Sequence, residues 1–133
     1  MKKASQIFMS YAHADRAFAS KLARGLAKAG VSTFDPADLL PGDDGFESMR
    51  KELKESDMVI FVVPSREGEG RAALFEVGAA RMLDKRILGV LPDRARYANS
   101  EVARALSDTA LLDASDLTQS ALTQAIVSSL HAH

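Results

Sequence analysis

Two rhythms of apolar and polar positions alternate along the chain. Short apolar runs read as strands, and longer stretches with apolar residues three and four apart read as amphipathic helices. The first run, QIFMSY (6–11), is a strand candidate. In the stretch that follows, Phe18, Leu22, Leu26 and Ala29 fall on one helical face, with Gly30 placed to stop the helix. VSTFD (31–35) is a short strand, and PADLLPGDDG (36–45) has the prolines and glycines of a loop. FESMRKELKESD (46–57) sets Phe46, Met49 and Leu53 against a charged face. MVIFVVP (58–64) has no polar alternation, as a strand buried on both faces should not. After the loop SREGEG, residues 71–84 form a helix rich in small residues, and RILGVLP (86–92) is a second two-faced strand. A short helix at 99–106, a strand at 109–113 and a final helix at 116–131 complete the pattern.

This β-α-β-α-β-α-β-α-β-α order implies an α/β fold. Its five-stranded parallel sheet has right-handed crossovers and helices on both faces, a three-layer sandwich. Five strands suit the flavodoxin-like order 2-1-3-4-5. No internal repeat or linker interrupts residues 1–133, so a single domain is expected. In such sheets ligands bind beyond the carboxyl ends of the strands, where the first and third diverge. The segments expected there are residues 10–15, 34–46 and 64–71 and the loop after Pro92.

Composition narrows the partners. Seventeen Lys and Arg against eighteen Asp and Glu leave no basic block for a nucleic-acid backbone and no acidic tail. With no cysteine, disulfides and thiolate metal sites are ruled out. Three histidines, two of them at positions 131 and 133, show no metal cluster, and no metal or cofactor is expected. No stretch approaches the roughly 20 apolar residues of a membrane span, and the start lacks the apolar run of a signal peptide. A soluble, cytoplasmic domain is expected. The chain has no P-loop, and its GEG is not a dinucleotide fingerprint. Ser10, His13 and Asp15 are neighbours in sequence, but a hydrolytic triad needs convergent geometry. Asp15 reads as the N-cap of the first helix.

Within LFEVGAA (74–80), Glu76 sits among apolar and small residues at the ligand end of the expected sheet. A carboxylate there is able to stabilise developing positive charge on a ligand. The bland alternative is a solvated glutamate complementing a helix dipole, worth under about 1 kcal/mol. Likewise, Gly78, Ala79 and Ala80 are explained by close helix–sheet packing alone. Phe34 is read as core and Tyr11 as either core or ligand contact. Arg66 and Arg71, beside Gly68 and Gly70, are suited to phosphates, although a solvated loop explains them too.

IFMSYAHAD, GVSTFDPADLLPGDD, SDMVIFVVPS and LFEVGAARMLDKRILGVL, in that order, together resemble a TIR domain of the bacterial kind over roughly residues 5–92. The resemblance implies the flavodoxin-like fold. It also implies cleavage of NAD+ at the nicotinamide–ribose bond, as glycohydrolase or ADP-ribosyl cyclase, switched on by self-association in bacterial defence signalling. Glu76 matches the family's catalytic glutamate. Ser10, Tyr11, Asp38, Phe46, Arg66 and Ala72 are then expected around the substrate, NAD+. Leu39, Leu40, Pro41, Gly42 and Asp43 match the loop that shapes the pocket and mediates assembly. Where the family usually has a tryptophan, one helical turn before the glutamate, this chain has Ala72. The expected partners are further copies or other TIR domains, together with a fused or separate signal-sensing domain, and neither nucleic acid nor membrane. Two other readings stand: a non-catalytic TIR module acting by homotypic contact, which Ala72 favours, and a nucleoside 2-deoxyribosyltransferase-like enzyme, with which FEVGAA is compatible.

Overall fold

The computed structural model describes residues 5–11, 13–35, 45–63, 78, 80–92 and 110–131. Five strands, β1 (Gln6–Ser10), β2 (Ser32–Phe34), β3 (Met58–Val62), β4 (Ile87–Leu91) and β5 (Ala110–Asp113), form one sheet. Every pairing is parallel, and the order is β2-β1-β3-β4-β5. Helices α1 (Arg16–Lys28), α2 (Gly45–Glu55) and α3 (Gln119–His131) cover it. Residues 78 and 80–82 are also helical and lead into β4. The helix expected at 99–106 lies outside the described residues. Among the described residues no helix is long and apolar enough to cross a membrane.

Side-chain alternation divides the core in two. Ile7 and Met9 of β1, Met58, Ile60 and Val62 of β3, and Leu88 and Val90 of β4 face one layer. There they meet Leu22 and Leu26 of α1 and Leu122, Ile126 and Leu130 of α3. Phe8, Val59, Phe61 and Ile87 face the other layer, where Leu53 of α2 and Ala80 pack. Each fully buried leucine contributes about 1.5–3 kcal/mol relative to exposure, which outweighs any propensity term in these helices. Ala29, assigned to the apolar face of α1, is instead exposed at its C-cap. The helix closes at Gly30, the stop expected from the sequence, whose φ is +85°. Gly30 N–H donates to Ala27 O and Val31 N–H to Leu26 O, the paired bonds of a Schellman ending. The same motif ends the helical segment before β4, with Asp84 (φ 54°) in the left-handed position.

Close helix packing occurs at a different glycine from the one expected. A Cβ at Gly25 on α1 would sit 2.5 Å from Thr123 Oγ1 on α3, so the absent side chain sets how closely these helices approach. At Gly78, by contrast, no described atom lies within 4 Å of such a Cβ, and the residue is exposed. Of the described residues in that cluster, Ala80 is buried against the sheet.

Two stability outcomes follow, both measurable by urea unfolding. Gly25→Ala is expected to destabilise through the contact with Thr123, and Thr123→Ala in the same chain to restore most of the loss. Gly78→Ala is expected to stabilise by about 0.5–1 kcal/mol, because the helix gains propensity without a clash.

Candidate functional site

The crevice opens where the chain leaves β1 toward β2 on one side and returns to form β3 on the other. Val63 and Leu91, at the carboxyl ends of β3 and β4, pack together, and the ladder runs on through Val63 N–H to Val90 O at 2.9 Å.

Ser10 and Tyr11 stand at the end of β1, and strand alternation sends them to opposite faces. Ser10 is buried, in register with Phe61. It shares the second face with Ala80, four residues after Glu76 in sequence. Tyr11 instead leans onto the α1/α3 layer, half-buried against the core cluster there. Its hydroxyl donates to the carboxylate of Asp35, the residue that follows β2. The two adjacent positions expected on the substrate are therefore directed differently. Ser10 lies on the α2 side of the sheet, and Tyr11 on the α1/α3 side, linked to the end of β2. Asp35 was not among the sequence candidates. The signal that would have found it is the strand order, which makes β2 a neighbour of β1. Phe34 is core as read: its ring lies 5.5 Å from that of Phe8.

Asp15 occupies the N-cap position of α1 but makes no side-chain capping bond. A 3-10 turn, His13–Asp15, precedes the helix, and the carboxylate is buried instead. Phe46 is placed by its backbone in the first turn of α2, and its side chain lies outside the described residues. Glu76, Asp38, Arg66 and Ala72, and the loop positions Leu39, Leu40, Pro41, Gly42 and Asp43, also lie outside them. Among the described residues no group of three or more His, Asp or Glu is arranged to hold a metal ion.

The opposite, amino edge of the sheet is densely tied. Gln6 Nε2 donates to Glu52 Oε2 at 3.0 Å and Ser56 Oγ at 3.1 Å, and Gln6 N–H to Asp57 Oδ2 at 2.9 Å. Lys85 Nζ reaches the carbonyls of Lys54 and Ser56, at 2.5 and 2.8 Å, at the end of α2. Its neighbour Arg86 donates to the carbonyls of Ser129 and Leu130 at the end of α3. Cations at helix C-termini complement the macrodipole as well as the unpaired carbonyls.

With this geometry in place, comparison with known proteins is informative. The model of the TIR domain family matches residues 7–127. A comparison with curated protein sequences returns no match. Among solved structures, the chain is similar to the CMP N-glycosidase BcmB of Clostridium botulinum. The TM-score there is 0.61 at 15% identity, over 92% of this chain and 98% of that one. It is also similar to a 2-deoxyribosyltransferase of Bacillus psychrosaccharolyticus, with TM-score 0.56, 17% identity, and 66% and 73% coverage. A flavodoxin-like domain from Synechococcus gives 0.55 at 14% identity, over 93% of this chain and 92% of that one. At these identities the likeness is one of fold.

The Tyr11–Asp35 bond links the carboxyl ends of β1 and β2. Tyr11→Phe, which keeps the ring packing, is expected to cost about 1 kcal/mol in chemical denaturation. Tyr11→Ala, which also removes the ring packed against the core cluster, is expected to cost about 3 kcal/mol or more.

Proposed function

This chain belongs to the TIR domain family, and from that membership we propose that it cleaves NAD+ at the nicotinamide–ribose bond, with Glu76 as the catalytic carboxylate. The observation that carries the reading is the extent of the family match, residues 7–127, which includes the segment bearing Glu76. The flavodoxin-like sheet supports it, because β3 delivers the chain to the carboxyl edge thirteen residues before Glu76, at Val63.

In the proposed step the C–N bond between ribose and nicotinamide breaks, and its electron pair returns to the pyridine nitrogen. Nicotinamide leaves neutral, and positive charge develops on the ribose. The Glu76 carboxylate stabilises that charge more in the transition state than in the ground state, which is the condition for acceleration. Water adding to the anomeric carbon and losing a proton gives ADP-ribose; an internal nucleophile would give a cyclic product instead. Ser10, Tyr11, Asp38, Phe46, Arg66 and Ala72 are proposed around the substrate. The loop Leu39 to Asp43 is proposed as an assembly contact through which self-association in a bacterial defence pathway switches activity on. Other copies or other TIR domains are the proposed partners.

Two named fold neighbours, an N-glycosidase and a 2-deoxyribosyltransferase, act on nucleotide or nucleoside substrates. That supports keeping a transfer reaction on deoxynucleosides as a second reading. Ala72, in place of the usual aromatic residue, supports the third, an interaction module without catalysis.

The test is nicotinamide release from NAD+ by the protein crowded on a surface. Glu76→Gln is expected to lower the rate on the order of 100- to 1,000-fold with unfolding unchanged. An assembled wild type that leaves NAD+ intact would overturn the reading. Base exchange between deoxynucleosides would then favour the transferase, and neither activity would favour the module.

A further inference from the structure

Helix α1 carries Arg16, Lys21, Arg24 and Lys28 and no carboxylate, in a chain whose formal net charge is −1. Helix α2 also has several cations, but interleaves them with Glu47, Glu52 and Glu55. On α1, Lys21, Arg24 and Lys28 fall at i, i+3 and i+7 and share one exposed face. They line one wall of a groove of about 500 Å³, and Gln119, Ser120 and Gln124 of α3 line the other. Its floor is the Gly25–Thr123 contact, which draws the two helices together. Helix α3 has no acidic residue, and its N-terminal half, the positive end of its dipole, borders the groove. Among the described residues, none of the three cations is ion-paired.

We propose that this groove docks an acidic segment of a partner protein, an extended run bearing Asp or Glu. The groove's form argues against a small ligand: its walls are exposed residues, whereas pockets for small molecules bury about 70–90% of the ligand. A membrane surface would meet large apolar or aromatic side chains, and none lines the groove. A nucleic-acid backbone needs cations spread over a longer track, whereas these span roughly 10 Å of a single helix. An acidic strand fits both spacing and chemistry. Arg24 and Lys28 are separated by about 6 Å along the helix axis. Alternate side chains of an extended peptide are about 6.5 Å apart. The glutamine amides opposite offer donors and acceptors to the peptide backbone. The surface lies on the α1/α3 layer and does not depend on any activity toward NAD+.

The experiment titrates the full chain with a short synthetic peptide of alternating Glu and Ser, followed by fluorescence anisotropy and backbone amide shifts. Binding is expected to move the amides of Arg24, Gly25, Lys28 and Gln119 to Gln124 and to weaken as salt is raised. The triple variant Lys21→Gln/Arg24→Gln/Lys28→Gln is expected to lose affinity about tenfold, the combined worth of three exposed charge pairs. Arg50→Gln/Lys51→Gln/Lys54→Gln on α2 makes the same change in net charge and is expected to bind as wild type does. Circular dichroism checks that both variants fold. The proposal is overturned by failure of the wild type to bind the peptide, by equal loss in both variants, or by shifts elsewhere on the surface. It is overturned as well if phosphatidylserine vesicles or single-stranded DNA occupy the groove and the peptide does not.

Discussion

A strand with no solvent-facing side dictates the rest of this molecule. All five residues of β3 are buried, and both of its edges are paired, to β1 and to β4. Such a strand is stable only if both faces are covered, so the chain must supply two helical layers rather than one. Parallel pairing on both edges then requires each connection to cross over the sheet, which brings all carboxyl ends to the same edge. The strand order reverses direction beside β1, and the crevice follows from that reversal.

At the amino edge, side chains from β1, α2, and the turn before β4 join in a network of hydrogen bonds to helix-terminal carbonyls and to one another. At the carboxyl edge, Ser10 is buried, Tyr11 pairs with Asp35, and Val63 packs against Leu91.

The sheet was legible because its signal is local. Residues 58–62 and 87–91 lack any polar alternation, and only a strand covered on both faces tolerates that. Family membership was legible in four short motifs taken in order. What could not be read were contacts between distant residues. Tyr11 and Asp35 are 24 positions apart, and only the β1–β2 register brings them together. Gly25 and Gly78 are both small residues in helical segments, yet among the described residues the first meets another helix and the second meets nothing within 4 Å. Asp15 has the identity and position of a cap, but the 3-10 turn before α1 takes its side chain inward. Of the candidate site, Ser10 and Tyr11 are placed, and they separate to opposite faces for the same reason that the core divides in two.

The adjacent pair Lys85 and Arg86 has a consequence for how β4 finds its place. One residue closes α2 on one layer, and the next closes α3 on the other. A slip of β4 by one residue would exchange the two side chains, as well as turning Ile87 and Leu88 to the wrong layers. The shorter lysine and the forked guanidinium would then each face a terminus built for the other. The pair works as a checksum on strand alignment: both helices can be closed together only when β4 is threaded in the correct frame.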